Sequence, residues 1–531
     1  MAAAFVCTLV SAQPVLSQPY AIPVANSAPD IAGIDPTIAV FQGTTKWGDY
    51  NKDGFIDFLL TGRTVENNLG FEPLVGAIFR GNPPTNTTAA ISYTQFSIIQ
   101  PTWLSDAEWG DYDNDGDLDL VLIGSNTVEN PLSGVAELYR NEGVGSGIPS
   151  FTSFDLPVPG LYSGSAEWGD YDNDGDLDIL LSGVSSPGAH HTELLNNNNG
   201  VFTSVANNFA EIGFGDARFA DVDNDFDLDV VLVGALSNNV SVSAVYRNDG
   251  GDSFVELPTQ IEPTLFGNVD FADYDEDGDI DILVAGGKLG SLVMEGSTTV
   301  YNNDGSGVFS AANLDLVSLY YGEAGFVDYD TDGDVDIFTT GSQHPFTRGT
   351  TVMNASENDG ASFVRTNLLT SGLGAAPFPG TKMGTMSFGD YDNDADLDIF
   401  LTGVVDDVIF MAIYGNLGAF NTRPREPEDL QTTVNGNEVD FSWTGPVDGQ
   451  TETLSLSYAL RIGSQPGGGD IVSPASSFGT GRVLIPKLGQ ITTPGWKIFN
   501  LNSGTYYWSV QAIDAGFVGS LFAPEQQFVI P

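Results

Sequence analysis

The sequence predicts an all-β protein: a seven-bladed β-propeller with acidic loops, followed by a β-sandwich. Three observations lead there. A stretch typified by WGDYDNDGDLDLVLIG from Trp109 occurs seven times, its first Asp falling at 49, 111, 170, 221, 273, 328 and 390. Each copy runs into a short apolar segment rich in branched residues and closed by glycine, as Leu118 to Gly124, which reads as a buried strand. Beyond Asn421 the motif stops and apolar and polar residues alternate, as in strands with one buried face. Successive copies lie 51 to 62 residues apart, a period at which small units stack because none buries its apolar face alone.

The acidic loop comes first. Asp111, Asp113, Asp115 and Asp119 stand at positions 1, 3, 5 and 9, with Asp117 at position 7 and Gly116 at position 6, where the chain turns sharply. Calcium takes six to eight oxygen ligands, and alternate carboxylates on a tight loop together with the position 7 carbonyl converge on it. The other copies offer Asp49, Asn51, Asp53, Phe55 and Asp57; Asp170, Asp172, Asp174, Asp176 and Asp178; and Asp221, Asp223, Asp225, Asp227 and Asp229. Then come Asp273, Asp275, Asp277, Asp279 and Asp281; Asp328, Asp330, Asp332, Asp334 and Asp336; and Asp390, Asp392, Asp394, Asp396 and Asp398. Up to seven calcium ions are expected, one per blade. Copy one is the weakest expected site, since Asn51 replaces a carboxylate and Lys52 adds a like charge. Copies four and seven put Phe226 and Ala395 where glycine is wanted. A bulky residue at positive φ is costly, so copy four is expected to be distorted or empty.

Similar loops open EF-hands, but those need a bidentate Glu at position 12 and flanking helices. Position 12 here is Leu122, inside an apolar run. The loop therefore joins two strands. A third strand ends in turns such as Tyr246-Arg247-Asn248-Asp249-Gly250, whose residues supply the positive φ of tight hairpins. Phe151, Phe202, Phe254, Phe309 and Phe363 then open a fourth. Each unit is a four-stranded meander, one propeller blade.

These copies resemble the FG-GAP, or VCBS-type, repeats of the integrin alpha-subunit propeller and of many secreted bacterial proteins. The likeness spans roughly residues 40 to 420 and implies a calcium loop between the first two strands of each blade. After Val408 to Tyr414 the seventh unit lacks an outer strand, so part of Tyr20 to Phe41 is expected to complete it and remove an exposed edge. Loops and Asn-Asp-Gly turns share one face. The variable connections Arg63 to Leu74, Ser125 to Gly134, Val184 to His191, Gly287 to Ser297 and Ser342 to Thr351 share the other, which the resemblance implies to be the ligand side.

Net charge is −54, and the seven loops hold 34 of the 71 acidic residues. Such acidity excludes nucleic acid and anionic membrane as partners, since both require a basic patch. Residues 1–18 form a signal-like segment: apolar Ala2 to Ala12 ends Val10-Ser11-Ala12 before Gln13, pointing to a secreted or cell-surface protein. No later stretch is long and apolar enough to span a membrane. The single cysteine, Cys7, allows no internal disulfide.

The expected domains are the propeller at 19–421, a Pro-bearing linker at 422–429 and a sandwich at 430–531. In the sandwich, Val439, Phe441 and Trp443, then Tyr458, Leu460 and Ile462, then Tyr506, Trp508, Val510 and Ala512 alternate. This resembles fibronectin type III, with Trp443 and Tyr506 as core residues.

The function expected is a non-catalytic adhesion or recognition scaffold for an extracellular protein or glycan. Alternatives are a lectin, which needs exposed aromatics recurring at equal blade positions, and a calcium-dependent polysaccharide lyase built around His344 and Arg348. The three histidines His190, His191 and His344 are scattered, and no Ser-His-Asp grouping, zinc spacing or phosphate loop occurs.

Overall fold

The computed structural model describes residues 38–531 apart from 65–72, 84–91, 130–131, 146–147, 290–293, 344–350, 359–362, 367–379, 406–407 and 417–419. The predicted signal-like segment, most of Tyr20 to Phe41, His344 and Arg348 therefore lie outside the described residues.

Seven antiparallel meanders follow one another. In blade one the strands are Thr45–Gly48, Asp57–Arg63, Leu74–Asn82 and Ser92–Phe96, paired in that order. Blade four repeats the plan with Gly213–Ala220, Asp229–Ala235, Ser241–Asn248 and Phe254–Leu257. Blades two and three are joined into one sheet by Leu161–Tyr162. Second strands such as Asp119–Ser125 are buried throughout, as a strand covered on both faces must be. The register is the same in every unit, so that Gly48 pairs Asp57, Gly110 pairs Asp119 and Gly389 pairs Asp398.

Blades pack through the motif's own aromatics. Trp109 stacks on Tyr50 of the preceding blade at 6.1 Å, and Trp168 on Tyr112 at 6.2 Å. Gly110 makes room for this, because a Cβ there would lie 2.8 Å from the Trp168 ring. First strands face the channel, where blade-to-blade staples satisfy their N–H groups. Ala166 N–H donates to Asp106 Oδ2 (3.2 Å), Ala217 N–H to Ser165 Oγ (2.9 Å), Val269 N–H to Asp216 Oδ2 (3.1 Å) and Met386 N–H to Glu323 Oε2 (2.6 Å).

Blade seven has three strands among the described residues, Met386–Gly389, Asp398–Val405 and Val408–Tyr414. The described end of the segment expected to complete it adds no strand there. Instead Phe41 bridges to Arg63 of blade one, Val40 shares a core with Phe400 and Ile413 of blade seven, and Gly403 N–H donates to Val40 O at 3.1 Å. These contacts join blades one and seven; residues 20–37 of the segment expected to complete blade seven lie outside the described residues.

The C-terminal part is a two-sheet sandwich. One sheet holds Glu428–Asn435, Glu438–Thr444 and Gly495–Ile498; the other holds Ser457–Gly463, Gly504–Ile513 and Gln526–Ile530. Trp443, Tyr458, Tyr506 and Trp508 are buried in its core, and Tyr506 Oη donates to Asn502 O at 2.9 Å, the bond of a tyrosine corner.

Candidate metal centres

Each acidic loop is a turn wound around its own first carboxylate. Asp111 accepts the N–H of Asp115 at 3.1 Å and of Gly116 at 2.8 Å, while Asp115 accepts the N–H of Asp117 at 2.9 Å. The same contacts recur around Asp170, Asp221, Asp273 and Asp390. Position 9 is a strut as well as a ligand candidate. Asp119 is fully buried and takes the N–H of Tyr112 at 3.3 Å and of Asn141 at 2.7 Å. Asn141 Nδ2 then reaches the Tyr50 carbonyl of the preceding blade at 3.1 Å.

Among the described residues six clusters bring three ligand atoms within 4.8 Å of one another, including Asp111, Asp113 and Asp115; Asp170, Asp172 and Asp178; Asp221, Asp223 and Asp225; Asp273, Asp275 and Asp281; and Asp328, Asp330 and Asp332. Several oxygens in the loops are buried without a hydrogen-bond donor: Asp113 Oδ1, Asp172 Oδ1, Asp223 Oδ1, Asp328 Oδ1 and Asp396 Oδ1. A buried carboxylate oxygen needs a donor or a cation, so these residues fit a hard metal ion. Burial, reinforced by neighbouring carboxylates, pushes Asp111 up to about 7 and Asp119 up to about 9.

Position 7 side chains turn outward. Asp176 accepts from Asn114 Nδ2 at 3.1 Å, Asp227 from Asn173 Nδ2 at 2.7 Å and Asp279 from Asn224 Nδ2 at 2.6 Å, so position 4 of one loop ties it to the next. At the ring joint Asn393 Nδ2 donates to Gly54 O at 2.9 Å. Position 4 is left-handed in all seven loops, with φ from 54° to 61°. Asparagine, which occupies four of these positions, tolerates that conformation.

Loops four and seven are not distorted, contrary to the expectation for Phe226. Phe226 and Ala395 adopt φ of 75° and 72°, and their N–H groups still reach Asp221 and Asp390 at 3.0 and 3.2 Å. Packing supplies the physical reason at loop four, where the Phe226 ring is clasped by Trp496 and lies under Lys497 Nζ at 5.3 Å.

That clasp belongs to a wider arrangement that sequence reasoning missed. The sandwich lies on the loop face and touches loops one to six, while loop seven is met by Asn421 at the propeller's end. Leu484 O accepts Asp49 N–H at 2.8 Å, Ser473 N–H donates to Asn114 Oδ1 at 2.9 Å, and Phe499 N–H to Asn173 O at 2.7 Å. Lys497 Nζ donates to Asp225 O at 3.2 Å, Ser455 Oγ to Asp273 Oδ2 at 2.9 Å and Gln450 Nε2 to Thr331 O at 2.7 Å. Asn421 N–H reaches Ala395 O at 2.7 Å. Its Ile485 to Gln490 segment enters the channel mouth, where Lys487 lies 3.3 Å from Glu108 and Gln490 Nε2 donates to Trp168 O. No sequence signal pointed to this docking, because alternation shows that a face is buried but not against what.

The two described histidines lie on a strand rather than in a free loop. His190 Nδ1 is 2.7 Å from Ala235 O, and His191 Nε2 is 2.8 Å from Ser185 Oγ. Among the described residues no helix is long and apolar enough to cross a membrane.

Comparison with curated proteins gives no match to the chain. The family model of the FG-GAP-like repeat matches residues 49–122, 111–181 and 221–284, each span running from an acidic loop to the second strand of the following blade. Loop geometry, blade order and family match agree over these spans: the chain carries FG-GAP-like repeats at 49–122, 111–181 and 221–284.

Proposed function

We propose that this chain is a calcium-binding propeller, secreted or displayed at a cell surface, that acts as a non-catalytic recognition or adhesion scaffold for a protein or glycan. Calcium suits the loops because all their donors are hard oxygens on flexible turns. Bound there, the ion offsets repulsion among buried carboxylates and stiffens the inter-blade ring. The observation that carries the reading is the docking of the sandwich across six of the seven loops. With the loop face occupied by the chain itself, the face of variable connections is left for a partner, and connecting loops commonly carry binding.

One observation favours the lectin as a second reading. The residue five before the motif aromatic is aromatic in three consecutive blades, as Phe214, Phe266 and Tyr321. Their rings are 5.6 and 4.7 Å apart on the far rim, and Phe266 is exposed. A glycan array probed with the whole chain separates the readings: retention of neutral sugars that Phe266→Ala abolishes makes the chain a lectin. Silence on the array with capture of a protein ligand supports the scaffold, and loss of calcium binding in direct titration would refute both.

A further inference from the structure

Loop one does not fit a metal as the other loops do. Asn51 turns its amide inward, and Nδ2 donates to Asp57 Oδ2 at 3.2 Å, placing a hydrogen-bond donor where a ligand oxygen stands in other copies. The neighbouring Lys52 ammonium pairs with Asp117 of loop two at 2.7 Å. As in loop five, none of the loop-one carboxylates is among the buried oxygens without a donor, so the Asn51 amide and the Lys52 ammonium are what set loop one apart.

A cation from the same chain stands there instead. Arg482 of the sandwich donates from Nη1 to Gly54 O, and its Nε lies 3.9 Å from Asp49 Oδ2. A guanidinium presents several donors in a rigid fork suited to carboxylate and carbonyl oxygens. Its stem is held in place because Asp49 N–H donates to Leu484 O at 2.8 Å, while Leu484 and Ile485 share a core with Tyr50 and Trp109. Loop four also meets a lysine, but Lys497 binds the Asp225 carbonyl and the Phe226 ring, and Asp223 Oδ1 there still lacks a donor.

We propose that loop one is a metal-free latch in which Arg482 takes the place of the ion's charge, so that the sandwich stays fastened to blade one when calcium leaves the other loops. The metal half of this inference rests on the calcium reading above; the latch half does not.

Hydrogen exchange of the full chain, with calcium and after its removal, tests both. Removal is expected to deprotect the amides of Asp115 to Asp117 and Asp174 to Asp176 while leaving Asp53, Gly54 and Leu484 protected. If loop one opens together with the others, the latch is wrong. If no loop responds, the calcium reading fails, and the latch is then decided by Arg482→Ala. That variant should speed exchange at Asp53, Gly54 and Leu484 about tenfold, the effect of losing one charged hydrogen bond, with or without calcium; unchanged exchange overturns the latch. As an independent count, the triple variant Asn51→Asp, Lys52→Asn, Arg482→Ala should bind one calcium ion more than the natural sequence, and an equal count overturns the claim that loop one is metal-free.

Discussion

The Phe226 ring meets Trp496 edge to face at 6.4 Å, with Phe226 held at a φ of 75°. A residue that pattern reasoning reads as damage to a metal loop is thus a hinge-pin between domains. Its left-handed backbone costs of order 1 kcal/mol, and apolar contact with the sandwich offsets that cost. Phe226→Gly should therefore leave calcium stoichiometry unchanged while weakening docking by about 2 kcal/mol net. Calcium titration beside proteolysis of the 422–429 segment checks this, the cleavage rate rising while the stoichiometry holds.

Asp119→Ala should be the more damaging change. It leaves the N–H groups of Tyr112 and Asn141 buried and unpaired, at about 1–3 kcal/mol each. A fall in melting temperature is expected even with calcium saturating, whereas Asp113→Asn, which removes an outer carboxylate, should lower calcium affinity and spare the calcium-free stability.

The pH response follows from the raised carboxylates. In the metal-free protein, Asp111 and Asp119 bind protons up to about 7 and about 9 because they are buried. The unfolded chain releases those protons near its ordinary value of 3.8. The folded state therefore holds more protons between pH 4 and 9, and calcium-free stability falls as pH rises through that window. Calcium competes with the same protons, so its stabilisation grows with pH. Melting of metal-free and calcium-loaded protein at pH 5 and pH 8 should show the two diverging toward pH 8. Each filled site adds about 2.7 kcal/mol at a hundredfold excess over Kd.

The channel staples make a prediction with no metal in it. Ser165 Oγ lies 2.9 Å from Ser182 Oγ and accepts the N–H of Ala217 at 2.9 Å, all of it buried. Ser165→Ala should cost about 1–3 kcal/mol, and the loss should be the same with and without calcium in chemical denaturation.

Much of this architecture was legible in the residues. Loops at fixed spacing, apolar second strands and the aromatic before each loop fix a blade through local rules, because strand, turn and carboxylate chemistry act over a few residues. The carboxylates of Asp111, Asp113 and Asp115 converge as their spacing implied. Phe226 was misread because the penalty for positive φ is visible in the sequence while the ring's partner, 270 positions later, is not.

The sequence by itself determined the number of blades, their register and which side chains could share an ion, since each follows from periodicity within a short stretch. Only the tertiary structure decided that the sandwich covers the acidic-loop face and that Arg482 stands at loop one. Those outcomes depend on two independently patterned surfaces meeting, and alternation records that a face is buried without recording what buries it.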